Sequence, residues 1–134
     1  MINEKPLTRF VPFVLFAFLF SCQSGSSQNV LDPIAVKQKL EQKTDAALID
    51  VRTLKEFSDG HIAGAMNIDF EGATFEERIS KLDTAKTYFV YCMSGSRSHK
   101  AAEYMRHSGF KNIYEMRGGI ERWKKEGFPV EKGQ

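Results

Sequence analysis

The sequence predicts an α/β protein: three layers, α/β/α, around a mainly parallel central sheet. Three observations carry that reading. From Val30 onward, apolar runs of strand length alternate with amphipathic stretches of helix length, the order expected of a parallel sheet with helices on both faces. Two of those runs, "AALIDVR" (Ala46 to Arg52) and "TYFVYC" (Thr87 to Cys92), are close to continuously apolar, as strands buried on both faces are. The chain has 134 residues and contains no internal repeat, which suits one domain.

Taken in order, "LDPIAVKQKLEQ" opens as a helix, with Asp32 as N-cap and Pro33 at its first position. Ile34, Val36 and Leu40 are expected to form its apolar face. "AALIDVR" is the first strand, and "TLKEFSDG" a short helix closed by Gly60. "AMNIDF" is a second strand. "TFEERISKLD" follows as a helix in which Thr74 and Glu77 have the spacing of a capping box. "TYFVYC" is the clearest strand, aromatic and β-branched, and ends at turn residues. "SHKAAEYMRHSG" is a helix stopped by Gly109, "NIYEMRGG" a strand and turn, and "GIERWKKEGFPV" a last helix with a short tail.

The first residues have a different character. Lys5 and Arg9 precede "FVPFVLFAFLF" (Phe10 to Phe20), which lacks any charged or polar side chain. A basic stretch followed by a short apolar one has the form of a secretory signal. The run is shorter than the ~20 residues that a bilayer-spanning helix needs, and Pro12 interrupts it. It ends in "LFSC", Leu19 to Cys22, which resembles the bacterial lipoprotein signal, where a small residue precedes a cysteine that is acylated and becomes the new N-terminus. Phe20 is bulkier than the usual occupant of its position. The polar, small "QSGSSQN", Gln23 to Asn29, has the composition of a tether. The expected organisation is therefore a signal over 1–21, a lipid-bearing Cys22 opening a tether over 22–29, and a folded domain over 30–134. A lipid on Cys22 would hold the domain to a bacterial membrane on the periplasmic side of the cell envelope.

Charge and cysteine count narrow the function. The formal net charge is +2, with 19 basic and 17 acidic residues interleaved; no basic cluster provides a nucleic-acid footprint. The cysteines are Cys22 and Cys92. With Cys22 lipidated, Cys92 has no partner for an internal disulfide in an oxidising compartment. It is either buried and inert or held for its reactivity.

The segment "CMSGSRS", Cys92 to Ser98, favours reactivity. It joins the end of a buried strand, where ligands sit in such folds, to the start of a helix whose first N–H groups lack intrahelical partners. Met93, Ser94, Gly95 and Ser96 form a tight turn able to aim successive N–H groups at one point, an anion-binding nest. Gly95 permits a positive φ, and Arg97 adds a fixed positive charge. A thiol in that field has its pKa pulled below the ~8.5 of free cysteine, and the thiolate is the nucleophile. The alternative is a plain turn around a buried cysteine.

"CMSGSRS" resembles the active-site loop of rhodanese-like domains, the sulfurtransferase family. "LIDVRTLKEFSDGHIAGAMNI" (Leu48 to Ile68) resembles that family's first signature, and "GGIERWKKEGFPV" (Gly118 to Val130) its closing one. The resemblance spans about Val30 to Val130. It implies a sulfurtransferase in which Cys92 takes sulfane sulfur from a small anionic donor such as thiosulfate, becomes a persulfide, and passes the sulfur to a thiol or to cyanide. It also implies that Arg97 helps hold the donor, that Ser98 hydrogen-bonds the loop, and that Asp50 and Arg52 support loop and core. No metal or organic cofactor is required, and a monomer is expected. Met93 stands where many thiosulfate-using members carry a basic residue, which bears on donor choice. Related phosphatases place one more residue between Cys and Arg. The four between Cys92 and Arg97 favour sulfur over a phosphoryl group or arsenate. The rival from another class is a non-enzymatic persulfide-binding envelope lipoprotein.

The remaining polar candidates have structural readings. His61 matches a family position that is usually structural, His99 lies near the helix start, and His107 is expected to be exposed. The histidines and Cys92 lack zinc-ligand spacing. Trp123 and Phe128 read as packing under the last helix.

Overall fold

The computed structural model describes Met1 and residues 29–133. Apart from Met1 and Asn29, the expected signal, the lipidation cysteine Cys22 and the tether lie outside the described residues. Five strands and five helices alternate: β1 (Val30–Leu31), α1 (Pro33–Gln42), β2 (Ala46–Asp50), α2 (Leu54–Asp59), β3 (Ala65–Asn67), α3 (Phe75–Ser80), β4 (Thr87–Tyr91), α4 (Ser96–His107), β5 (Asn112–Met116) and α5 (Gly119–Lys125). The strands form one sheet in the order β1-β5-β4-β2-β3, and every pairing in it is parallel. β4 is central, pairing with β2 (Asp50 opposite Tyr91) and with β5 (Val90 opposite Glu115).

Alternation along β4 divides the core in two. Tyr88, Val90 and Cys92 face one side with Ile49, Val51 and Ile113, beneath Phe75 and Ile79 of α3 and Ala101, Ala102 and Met105 of α4. Phe89 and Tyr91 face the other side with Leu48 and Met116, beneath Val36 of α1 and Ile120 and Trp123 of α5. This is the period-2 rule of a strand applied to a sheet covered twice. Each large side chain so buried contributes about 1.5–3 kcal/mol relative to exposure. Trp123 is buried, donates its indole N–H to Pro129 O at 2.8 Å, and packs on Phe128.

Four local expectations are corrected. Ile34 is 45% exposed and is not part of the buried face of α1, which is supplied by Val36 with the partly buried Leu40. Asp32 precedes α1 without a side-chain cap; its carboxylate instead receives Arg117 and Arg122. Thr74 makes no cap hydrogen bond on α3. The reciprocal capping box lies on α2 instead, between Thr53 and Glu56. Finally, α4 begins at Ser96, inside the turn that was expected to precede it. Its end meets expectation: Gly109 and Phe110 donate back to Arg106 O and Met105 O.

Candidate active site

Cys92 follows the last residue of β4 and is 1% exposed. The chain then reverses within three residues to start α4. Gly95, at φ +119°, makes the reversal, a conformation that costs a residue with a Cβ but not glycine. As a result the Gly95 N–H points back at the sulfur, with N to Sγ 3.1 Å. The Ser98 hydroxyl, fully buried, lies 3.4 Å from Sγ and 3.1 Å from Gly95 O. Its single proton serves one of these acceptors at a time, and a charged sulfur draws it. Burial pushes the Cys92 thiol up. Hydrogen bonds from the Ser98 hydroxyl and from the N–H groups of Ser98, Gly95 and Ser94 outweigh that effect, leaving the thiol below its ordinary value.

The turn is held from beneath and from the side. The first turn of α5 docks on it: Ile120 N–H donates to Cys92 O at 2.9 Å, and Glu121 N–H to Met93 O at 3.1 Å. Gly118 and Gly119 have positive φ, and a Cβ on Gly119 would lie 2.4 Å from Met93 O. On the β2 side, Asp50 and Arg52 form a fully buried ion pair, with Arg52 Nη2 2.6 Å from Asp50 Oδ2. Arg52 also donates to Gly60 O at 2.8 Å, and its guanidinium lies 5.7 Å from the Tyr91 ring centroid. Removing one member of such a pair leaves an uncompensated buried charge, at a cost of about 3–5 kcal/mol. Asn67 donates to the carbonyls of Asp50 and Arg52, and Val51 N–H to Tyr91 O. The pair therefore anchors the chain beside the end of β4 without touching the sulfur through any hydrogen bond.

This strand, turn and helix, with a thiol at the centre of the turn, lie within residues 32–126, which match the family described as the rhodanese-like domain. The chain belongs to that family. A sulfurtransferase from Allochromatium vinosum is 30% identical to it over 102 residues, covering 76% of this chain and 94% of the relative. A thiosulfate sulfurtransferase, GlpE, from Coxiella burnetii is 35% identical over 86 residues, covering 64% of this chain and 78% of the relative. The crystal structure of a rhodanese-related protein from Thermoplasma volcanium superposes with a TM-score of 0.68 at 30% identity, covering 77% of this chain and 97% of that one. Sulfur transfer is thus the general chemistry that accompanies this rhodanese-like domain.

Arg97 sits within the loop as the sequence suggests, but its guanidinium is engaged. Nη1 and Nη2 bind Glu56 Oε2 and Oε1, both at 2.8 Å. Glu56 is the residue of this rhodanese-like site that sequence reasoning did not mark. The Arg97 bonds chiefly hold its carboxyl down, against a smaller upward push from burial, and the Thr53 bonds add to the effect; it titrates at about 2. Two signals bear on it: its place in the segment Leu48 to Ile68 that carries the family resemblance, and the Thr53–Glu56 spacing of a capping box, which fixes the carboxylate on α2. Of the histidines, His61 is buried, stacked on Phe57 at 3.8 Å, with Nδ1 3.0 Å from Phe57 O. His99 pairs with Glu115, which also takes Arg106. The exposed His107 bonds Glu103 O within its own helix. Among these contacts none joins a histidine to Cys92.

Proposed function

We propose that the protein is a rhodanese-type sulfurtransferase that works through a Cys92 persulfide. The Cys92 thiolate attacks the sulfane sulfur of a donor such as thiosulfate. The donor S–S bond breaks, sulfite leaves, and the sulfur remains on Cys92 as a persulfide anion. A thiol or cyanide acceptor then attacks that outer sulfur and releases the thiolate. The observation that carries this reading is the Gly95 N–H at 3.1 Å from Sγ, with the Ser98 hydroxyl beside it. These donors favour negative charge on sulfur before and after transfer. The relatives named as sulfurtransferases support it. Cys92 is the free cysteine of the described residues, so the persulfide has no internal thiol to resolve it there and its sulfur goes to an external acceptor. The test is thiocyanate formation from thiosulfate and cyanide: the wild-type protein should form it, and Cys92→Ser should form none while remaining folded. Activity surviving in that variant would assign the chemistry to another group.

The same reading places the enzyme at a bacterial membrane through lipid on Cys22, on the grounds of the basic and apolar stretches before it and the polar stretch after it. Cys22→Ala should then release the protein from the membrane fraction, and a wild-type protein found wholly in the soluble fraction would refute the anchor.

A further inference from the structure

The positive charge beside the sulfur is already spoken for. Arg97 meets both oxygens of Glu56 at 2.8 Å, and Glu71 brings a second carboxylate to 3.8 Å from its Nη1. Glu56 is itself fixed, because its Oε2 accepts from the Thr53 N–H and hydroxyl at 3.0 Å. The Arg97 and Glu56 side chains are 22% and 27% exposed, shielded enough for the pair to persist and open enough for a donor to sense it. Met93 and Ser94, on the other arm of the turn, contribute no charge. The sulfur thus lies in a nest of N–H dipoles, and the guanidinium carried by its own loop is neutralised from α2.

We infer that Glu56 is a specificity-determining positioning residue: by committing Arg97 to α2 it makes the loop favour singly charged sulfane donors over doubly charged ones. This rests on the sulfur-transfer reading of Cys92 and narrows its donor class. A thiosulfate dianion must bring two negative charges up to a thiolate, and an Arg97 held by two carboxylates offers it little compensation. A thiosulfonate anion, R–SO₂–S⁻, brings one. In its transfer step the Cys92 thiolate attacks the terminal sulfur, the S–S bond to the sulfonyl group breaks, and the sulfinate R–SO₂⁻ leaves with the bonding pair. Cys92–S–S⁻ remains. The donor brings one negative charge and the sulfinate takes one away, the other staying on the protein as thiolate and then persulfide, and no outside oxidant or reductant is needed.

Methanethiosulfonate is the direct probe, because it differs from thiosulfate by a methyl group in place of one charged oxygen. The wild-type protein should show a lower KM for methanethiosulfonate than for thiosulfate. Glu56→Gln keeps a side chain suited to the capping box while removing the charge on Arg97's partner. It should lower the thiosulfate KM by about fivefold, the scale of a part-exposed ion pair, and move the methanethiosulfonate KM and both kcat values much less. Glu56→Asp, which restores the charge, should bring the donor preference back towards wild type. Glu71→Gln, on a 65% exposed side chain, should shift the preference in the same direction by less, and it serves if Glu56→Gln does not fold. Equal changes for the two donors, or a thiosulfate KM that rises in Glu56→Gln, would overturn the inference. Failure of the wild-type protein to take sulfur from either donor would instead overturn the sulfur-transfer reading on which it rests.

Discussion

Gly119 packs against Cys92 through backbone alone: a Cβ placed on Gly119 would sit 2.5 Å from the Cys92 carbonyl oxygen. The same approach lets the next N–H, that of Ile120, reach that oxygen at 2.9 Å. The start of α5 thus sets where the carbonyl end of Cys92 lies, while Gly95 and Ser98 set what its sulfur sees. Shape and charge at one residue are supplied by two different helices.

Gly119→Ala should therefore damage both stability and activity. The residue has φ +59°, worth about 1–2 kcal/mol against any side chain, and the clash is with backbone that has no rotamer to relieve it. Together they should cost about 3 kcal/mol. Gly64 separates the two causes, since it has φ +77° but nothing within 4 Å of a built Cβ. Gly64→Ala should lose only about 1 kcal/mol and keep its sulfur-transfer rate. Urea denaturation of both variants, with thiocyanate assays alongside, gives the comparison. Equal losses in the two would show that the contact with Cys92 does not matter.

Ser98→Ala should make the Cys92 thiol harder to ionise. The hydroxyl at 3.4 Å is one of the groups that hold the thiol below its ordinary value, so its removal moves the midpoint of iodoacetamide alkylation against pH upward. The sign for stability follows from linkage. Between the folded value and the unfolded value of about 8.5, the folded chain binds fewer protons, so stability rises with pH across that interval. The contribution is complete above the unfolded value and is lost as pH falls through the folded one. Cys92→Ser should lack this pH dependence. An unchanged alkylation midpoint in Ser98→Ala would remove Ser98 from the account.

The parts of this molecule legible in its sequence are those with local causes. β4 and its turn are readable because a run of aromatic and β-branched residues ending in Ser and Gly can do little else. Gly109 is readable as a helix stop for the same reason. β1 was not expected, because two residues carry no periodicity and Val30 is a strand only through its pairing with Glu115. Ile34 misled because an apolar side chain at helical spacing need not lie over the sheet. The sequence reading put a capping box at Thr74–Glu77 and not at Thr53–Glu56, where it closes, because the same spacing occurs at both and nothing local shows which forms. The Glu56–Arg97 pair spans 41 positions, so only the fold brings it together. Gly118 and Gly119 carry the family resemblance, but the reason for Gly119 is tertiary: a Cβ there would lie 2.5 Å from the Cys92 carbonyl oxygen.

Mass spectrometry of the purified protein after incubation with a sulfane donor reads the Cys92 persulfide itself. One added sulfur atom is expected, located on the peptide containing Cys92, removed by cyanide or a thiol, and missing in Cys92→Ser. A folded wild-type protein that gains no sulfur from thiosulfate or methanethiosulfonate, or gains it at another residue, would contradict it.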